Sequence, residues 1–391
     1  MVQDFEGEKR PETETVLVLQ GGGSLGAYEC GVFSTLYKHG IKFNVIAGSS
    51  IGGINASIIA SAQNAGKDTP ALLKDFWLEL SEKSWADGLP ALSNPYFTSS
   101  FMDKTMAFLA SMHSIMYGNA LAFTPRWFFA NDPDYYFPYN WNYVYDTTPL
   151  KDTLCRYVDF KSLRKDVSAE EGSARLIITA TDIQKGEPVI FDNRREDIDV
   201  DKVVACASYQ FYGIRWKEDD AGRYLWDGSL LTNTPMMEVI RASPMPDKIF
   251  YIVDVFPRKQ EELPRNMVEV WHRARDIIFM DKTDKNVEML RDVQRYQVLL
   301  MKMNAVINSP DAQIDEGTRT RLKELQPEYY ELAQRRGAVI KDTIRIGRVE
   351  KVHYLLEDTD FSSYRIKKLM GEGEQDAERI LREGTARVAH A

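Results

Sequence analysis

A chain of 391 residues, 44% of them hydrophobic, is long enough for one large α/β domain with a smaller appendage. A formal charge of −9 and a pI near 5.3 exclude a global electrostatic case for nucleic acid and set a weak field against anionic membranes. No apolar run reaches the length of a membrane span and the start MVQDFEGEKRPETET is acidic and polar, which reads as a cytoplasmic protein without a signal, peripheral contact with a lipid surface remaining open.

The elements follow in chain order. Residues 1–14 read as a flexible leader, and Thr15–Leu19 is a first strand that runs straight into glycines. Ala27 to His39 has helical spacing at Tyr28, Val32, Leu36 and Tyr37, with Gly40 placed to end it. Phe43–Ala47 is the second strand, and Ile51 to Ala62 is small and apolar enough for a buried helix. Later strands are predicted at Arg175–Thr181, Pro188–Phe191 and Lys248–Val255. Apolar strands alternating with helices argue for a three-layer α/β/α arrangement with a mainly parallel central sheet.

Between positions 85 and 148 aromatic residues crowd in, Trp127, Phe128, Phe129, Tyr135 and Trp141 among them, and charges are scarce. This segment reads as an insertion over the sheet, with short helices around Met102 to Met116, that either fills core or walls an acyl pocket around Trp127, Phe128 and Trp141. Residues 15–257 form the expected catalytic domain and 258–391 a mostly helical accessory region. In that region Asn266 to Asn308 is charged and amphipathic, with Trp271, Ala274, Ile277 and Ile278 at helical spacing. A helix from Gly317 to Arg336, a strand at Lys351–Leu356 and a closing helix from Ser362 to Leu381 complete it. Cys30, Cys155 and Cys206 are too scattered for a disulfide framework or a zinc site.

Two glycine-flanked turns carry the chemistry. Gly48-Ser49-Ser50-Ile51-Gly52 has the G-x-S-x-G form, and it follows a strand and opens a helix whose positive end favours negative charge beside Ser50. Gly21-Gly22-Gly23-Ser24-Leu25-Gly26 can aim backbone N–H groups at a developing oxyanion. Gly21, Gly23 and Gly26 also fit the dinucleotide fingerprint G-x-G-x-x-G, which needs an acidic residue at the end of the second strand. No acidic residue occurs between Glu29 and Asp68, so a dinucleotide-dependent oxidoreductase is a distant alternative. A serine nucleophile needs a base, and none of His39, His113, His272, His353 and His390 sits in a loop suited to present an imidazole. Asp227, at the end of an apolar strand in Asp227-Gly228-Ser229, is the alternative base.

Together these segments resemble the patatin-like phospholipase family: the first turn its oxyanion loop, the second its nucleophile elbow, and Asp227-Gly228-Ser229 its Asp-Gly block. Thr179-Ala180-Thr181-Asp182 with Gly186-Glu187, and Ala207-Ser208, extend the likeness over about Thr15 to Pro257. The resemblance implies a Ser50/Asp227 dyad that hydrolyses lipid acyl esters through an acyl-enzyme, with Gly21, Gly22, Gly23 and Ser24 as the oxyanion donors and Gly26, Gly48, Gly52 and Gly228 as motif glycines. It implies no metal and no organic cofactor. Acyl transfer or thioester cleavage by the same dyad, and a non-catalytic lipid-binding scaffold, stand as alternatives. Two departures bear on the substrate: Leu25 stands where the family usually carries Arg or Lys, and Tyr209-Gln210-Phe211-Tyr212 stands where many members have a proline.

Overall fold

A computed structural model describes residues 13–81, 100–128, 136–260, 263–309, 314–334, 338–349 and 356–389. The expected leader up to position 12, the start of the aromatic segment, the expected strand before Leu356, Phe129, Tyr135, His353 and His390 lie outside those residues.

The first half of the chain contributes strands β1 (Thr13–Leu19), β2 (Val45–Ser49), β3 (Thr124–Pro125), β4 (Tyr145–Asp146), β5 (Arg175–Asp182) and β6 (Glu187–Asp192). The second half adds β7 (Lys217–Glu218), β8 (Tyr224–Asp227), β9 (Asp247–Asp254) and β10 (Ile340–Gly347). The main sheet runs β10-β9-β1-β2-β5-β8-β7, with β6 also on β5, while β3 and β4 pair separately. From β10 to β5 every pairing is parallel, and β6, β7 and β8 add antiparallel pairings, so the sheet is mixed with a parallel core.

The parallel strands are buried on both faces because successive side chains leave a strand on opposite sides. Leu17, Leu19, Ile46 and Ile178 join one apolar cluster, under helices α1 (Gly26–Lys38), α2 (Ile51–Asn64) and α3 (Thr69–Leu80). Val16, Val18, Ala47, Phe250 and Ile252 join the other, under Met236, Val239 and Val287. The expected short helices of the insertion form one helix, α4 (Ser100–Tyr117), followed by α5 (Thr148–Tyr157), α6 (Lys165–Ser168), α7 (Val200–Cys206) and α8 (Met236–Ala242). The stretch from Asn266 divides into α9 (Met267–Phe279) and α10 (Thr283–Ile307), and α11 (Glu316–Gln334) and α12 (Ser363–Ala389) follow. Among the described residues, no helix is long and apolar enough to cross a membrane.

The region after Pro257 does not stand apart as an accessory unit. β10 extends the central sheet by pairing parallel with β9, from Ile340 opposite Lys248 to Gly347 opposite Asp254. On the helical side, Ile366, Leu369, Met370 and Ala377 of α12 are buried in the same cluster as α1, and Tyr28 Oη donates to Asp376 Oδ2 at 3.1 Å. Truncating fully buried Leu369 to alanine is therefore expected to lower the stability of the whole chain by about 3 kcal/mol. Differential scanning calorimetry checks this: the parent and variant should each unfold in one transition, and a separate transition that alone shifts would show an independent C-terminal unit.

Candidate active site

The serine turn is a tight strand-to-helix elbow. Ser50 sits between β2 and α2 with φ 54° and ψ −129°, a left-handed conformation that costs a non-glycine residue about 1–3 kcal/mol and persists only where packing dictates it. That packing is close: a Cβ on Gly48 would lie 2.2 Å from the Gly52 carbonyl oxygen. The two serines of the turn are sorted by it. Ser49 is fully buried and its hydroxyl bonds Thr179 Oγ1 and the Thr232 carbonyl, whereas Ser50 opens into a cavity.

The first glycine turn lies against Ser50. A Cβ on Gly21 would meet Ser50 Cβ at 2.7 Å and Asn233 Oδ1 at 2.8 Å, so no larger residue fits there without displacement. The Gly21 N–H donates to Asn233 Oδ1 at 2.9 Å, which removes it from the expected set of oxyanion donors. Gly22 and Gly23 line the cavity at the start of a short 3₁₀ turn, Gly23–Leu25, whose leading N–H groups have no partner within the turn. Ser24 is buried and its hydroxyl donates to the Glu357 carbonyl at 2.7 Å, while Leu25 is in the core. Two side chains not singled out in the sequence fasten this turn. Asn233 Nδ2 donates to the Phe279 carbonyl at 2.7 Å, and buried Gln20 donates to Thr234 Oγ1 at 2.8 Å while accepting from Val255 N–H at 2.9 Å. The polar run Thr232-Asn233-Thr234 before Pro235 is the only local signal for Asn233, and for Gln20 there is only its place before the glycines.

Asp227 ends β8 beside β5, with its N–H donating to the Ser208 carbonyl at 3.0 Å. Its side chain is fully buried. Oδ1 accepts from Ser229 N–H at 2.8 Å and Oδ2 has no hydrogen-bond partner among the described residues. Burial pushes the carboxyl up to about 6, opposed by the Ser50 side chain and by Ser229, both of which favour the charged form. None of the three described histidines lines the cavity. His39 pairs with Glu378 at the surface, His113 packs on Tyr117, and buried His272 lies 3.4 Å from Asp276 and 3.7 Å from Glu357. Among the described residues no group of three or more His, Cys, Asp or Glu side chains could hold a metal ion.

The cavity in front of Ser50 has a volume of ≈ 490 Å³ and mostly apolar walls. The insertion supplies Ile115, Ala122, Phe123, Val144 and Tyr145 to it, and the expected Trp127, Phe128 and Trp141 do not line it. Trp127 stands behind, its indole donating to the Met116 carbonyl at 2.9 Å and its ring edge-on to Tyr145. Phe128 is exposed, and Trp141 lies under the Arg126 guanidinium at 5.3 Å. The run Tyr209–Tyr212, in place of a proline, forms part of the wall.

The C-terminal segment closes the site from the other side. Asp358, Thr359 and Phe361 line the cavity, and the Asp358 carbonyl would lie 2.3 Å from a Cβ on Gly23. Ion pairs hold this segment down: Arg348 and Arg365 reach Glu357 at 2.6 and 2.7 Å, and Arg275 reaches Asp358 at 2.6 Å. Burial works against the Glu357 charge, but Arg348, His272 and Arg365 hold its carboxyl well below the usual range.

A family model described as patatin-like phospholipase matches residues 17–240. The triacylglycerol lipase SDP1L of Arabidopsis thaliana is 43% identical over 47 residues, a stretch that is 12% of this chain and only 6% of that lipase. Among solved structures, VipD from Legionella pneumophila aligns over 96% of this chain and 67% of its own at 12% identity, with a TM-score of 0.35. Full-length ExoU, solved in complex with full-length SpcU from the type III secretion system of Pseudomonas aeruginosa, aligns over 83% of this chain and 71% of its own at 15% identity, with a TM-score of 0.28. Both structural likenesses are distant.

Loss of the Asn233 clamp is expected to loosen the glycine turn. Asn233→Ala should slow labelling of Ser50 by a fluorophosphonate about 10- to 100-fold, since misplacement by an ångström has costs of that order. Circular dichroism should show the variant folded, and an unaltered labelling rate would mean that the turn holds its geometry without Asn233.

Proposed function

The chain belongs to the patatin-like phospholipase family, and on that premise we propose that it is a serine acyl hydrolase in which Ser50 and Asp227 form a dyad that cleaves lipid acyl esters. One observation carries the reading. A serine held at positive φ opens into an apolar cavity, and the buried carboxyl of Asp227, to whose charged form that serine contributes, has an oxygen with no hydrogen-bond partner among the described residues.

Asp227 Oδ2 takes the Ser50 proton as Oγ attacks the acyl carbon. The carbonyl oxygen becomes an oxyanion, and the N–H groups of Gly22, Gly23 and Ser24 are the donors in reach, each able to contribute about 3 kcal/mol in a water-poor site. The tetrahedral species collapses with loss of the alcohol, which takes the proton from Asp227 and leaves an acyl ester on Ser50. Water then attacks that ester while Asp227 accepts its proton, and the acid leaves with Ser50 restored. A carboxyl at about 6 is ionised near neutral pH yet is a stronger base than one in water. No step requires a metal or organic cofactor.

The apolar walls suit an acyl chain. Ile54 of α2 with Phe76 and Leu80 of α3 lies on the cavity wall, so the chain is proposed to run from Ser50 between these helices.

A chain-length series of chromogenic esters on the parent and on Ser50→Ala tests the reading. Hydrolysis and fluorophosphonate labelling should both vanish in the variant, and retained labelling would remove Ser50 from the role. Leu80→Trp should shift preference toward shorter esters, and the same series reads it. Asp227→Asn should abolish turnover while raising stability. The folded carboxyl titrates near 6 against an ordinary 3.8, so its charge costs about 3 kcal/mol above pH 6 and nothing below about pH 4. Thermal melts should therefore show a higher Tm for Asp227→Asn at pH 8 and little change at pH 4.

A further inference from the structure

Helix α9 is inside out. Met267, Val270, Trp271, Ala274, Ile277 and Ile278 recur at the spacing of one helical face, and all of them face solvent. The opposite arc, His272, Arg275, Asp276 and Phe279, is buried. Its polar groups go inward because Asp358 and Glu357 meet them there, which leaves the apolar arc with nothing among the described residues to cover it. The sequence pattern alone places Trp271, Ala274, Ile277 and Ile278 on the packed side of an amphipathic helix; they are on the other.

The same helix borders the cavity through its buried arc. Arg275 and Phe279 of the same helix line it, and Phe279 packs on Tyr209 and Phe256 with ring centroids 5.9 and 5.8 Å apart. Phe211 both lines the cavity and is 69% exposed, which puts an apolar ring at the mouth. Contiguous apolar surface of this kind on a water-soluble fold marks a contact site.

We propose that the outward face of α9 docks on a neutral or zwitterionic lipid surface and sets the cavity mouth against it. Two observations favour that occupant over a protein partner or an anionic membrane. The charged residues of α9, Glu269, Arg273, Arg275 and Asp276, fall outside the exposed arc, so that arc offers no directional pairing to a protein and no attraction to anionic headgroups. The formal charge of −9 weakens any anionic approach further. The helix that carries the face also walls, through Arg275 and Phe279, a cavity that, on the hydrolase reading above, receives a lipid chain, and apolar side chains inserted at a lipid interface bind by buried area.

The test is flotation of the full chain with phosphatidylcholine vesicles. Trp271→Glu combined with Ile278→Glu should lower partitioning by at least about ten-fold, while Val306→Glu, on an exposed apolar position of α10, should change it less than about two-fold. High salt should leave parent binding intact. Turnover of a soluble short-chain ester should be the same in the double variant and the parent, with turnover of vesicular substrate reduced. Equal partitioning of parent and double variant would overturn the proposal, as would a dimer, seen by light scattering, that the double variant dissolves. Parallel loss of soluble-ester turnover would also overturn it, by placing the defect in the site. If no ester is hydrolysed at all, the hydrolase reading fails while vesicle partitioning still decides the docking face.

Discussion

A carboxyl oxygen kept out of water without a hydrogen bond is the constraint on which the site depends. Asp227 Oδ2 is buried with no hydrogen-bond partner among the described residues, and ionising it there is costly. The surrounding chain holds the carboxylate nonetheless. β8 is pinned to β5, the Asp227 N–H is tied to Ser208, and Oδ1 is satisfied by Ser229, so the carboxyl is held in place from its backbone and from one of its oxygens. On the proposed mechanism a proton taken from Ser50 would relieve that cost, so that burial promotes basicity rather than merely lowering stability.

The glycine turn facing that pair is held from three sides, and only one of them is near in sequence. Gln20 precedes it in the chain, Asn233 follows the Asp227 turn, and the backbone of Glu357 and Asp358 comes from the far end. The buried ion pairs around Glu357 are thus more than a C-terminal ornament. They fix a segment whose carbonyls touch Ser24 and Gly23, so the last quarter of the chain belongs to the architecture of the site. A buried cluster of this kind confers little net stability but is sensitive to loss of any one partner.

What was legible in the sequence is what short-range chemistry encodes. The two glycine turns, Ser50 in preference to Ser49, and Asp227 at a strand end all follow from local backbone demands, and the apolar runs locate β1, β2, β5 and β9 within a few residues. Contacts across hundreds of residues were not legible. Asn233 and Gly21 are 212 positions apart, and Ser24 and Glu357 are 333 apart. β10 was missed because its apolar pattern is broken, with Lys341 and Asp342 exposed in succession after buried Ile340 and only Ile346 buried beyond them, and because it lies between strongly helical segments. Trp127 and Trp141 were overvalued for a related reason: composition marks an aromatic segment without saying which rings reach the cavity and which support those that do. Helix α9 shows the same limit in reverse, since periodicity finds two faces and only the partners at Glu357 and Asp358 decide which one turns inward.

The central claim is that Asp227 alone supplies the base for Ser50. The most direct measurement is the rate constant for fluorophosphonate labelling of Ser50 as a function of pH, in the parent and in Asp227→Asn. Because the carboxylate form is the active one, the parent rate should be full above the carboxyl's folded value of about 6 and fall tenfold per pH unit below it. The Asp227→Asn variant should show no such step and almost no labelling. Retention of the parent's rate and pH profile in Asp227→Asn would contradict the account and require another base.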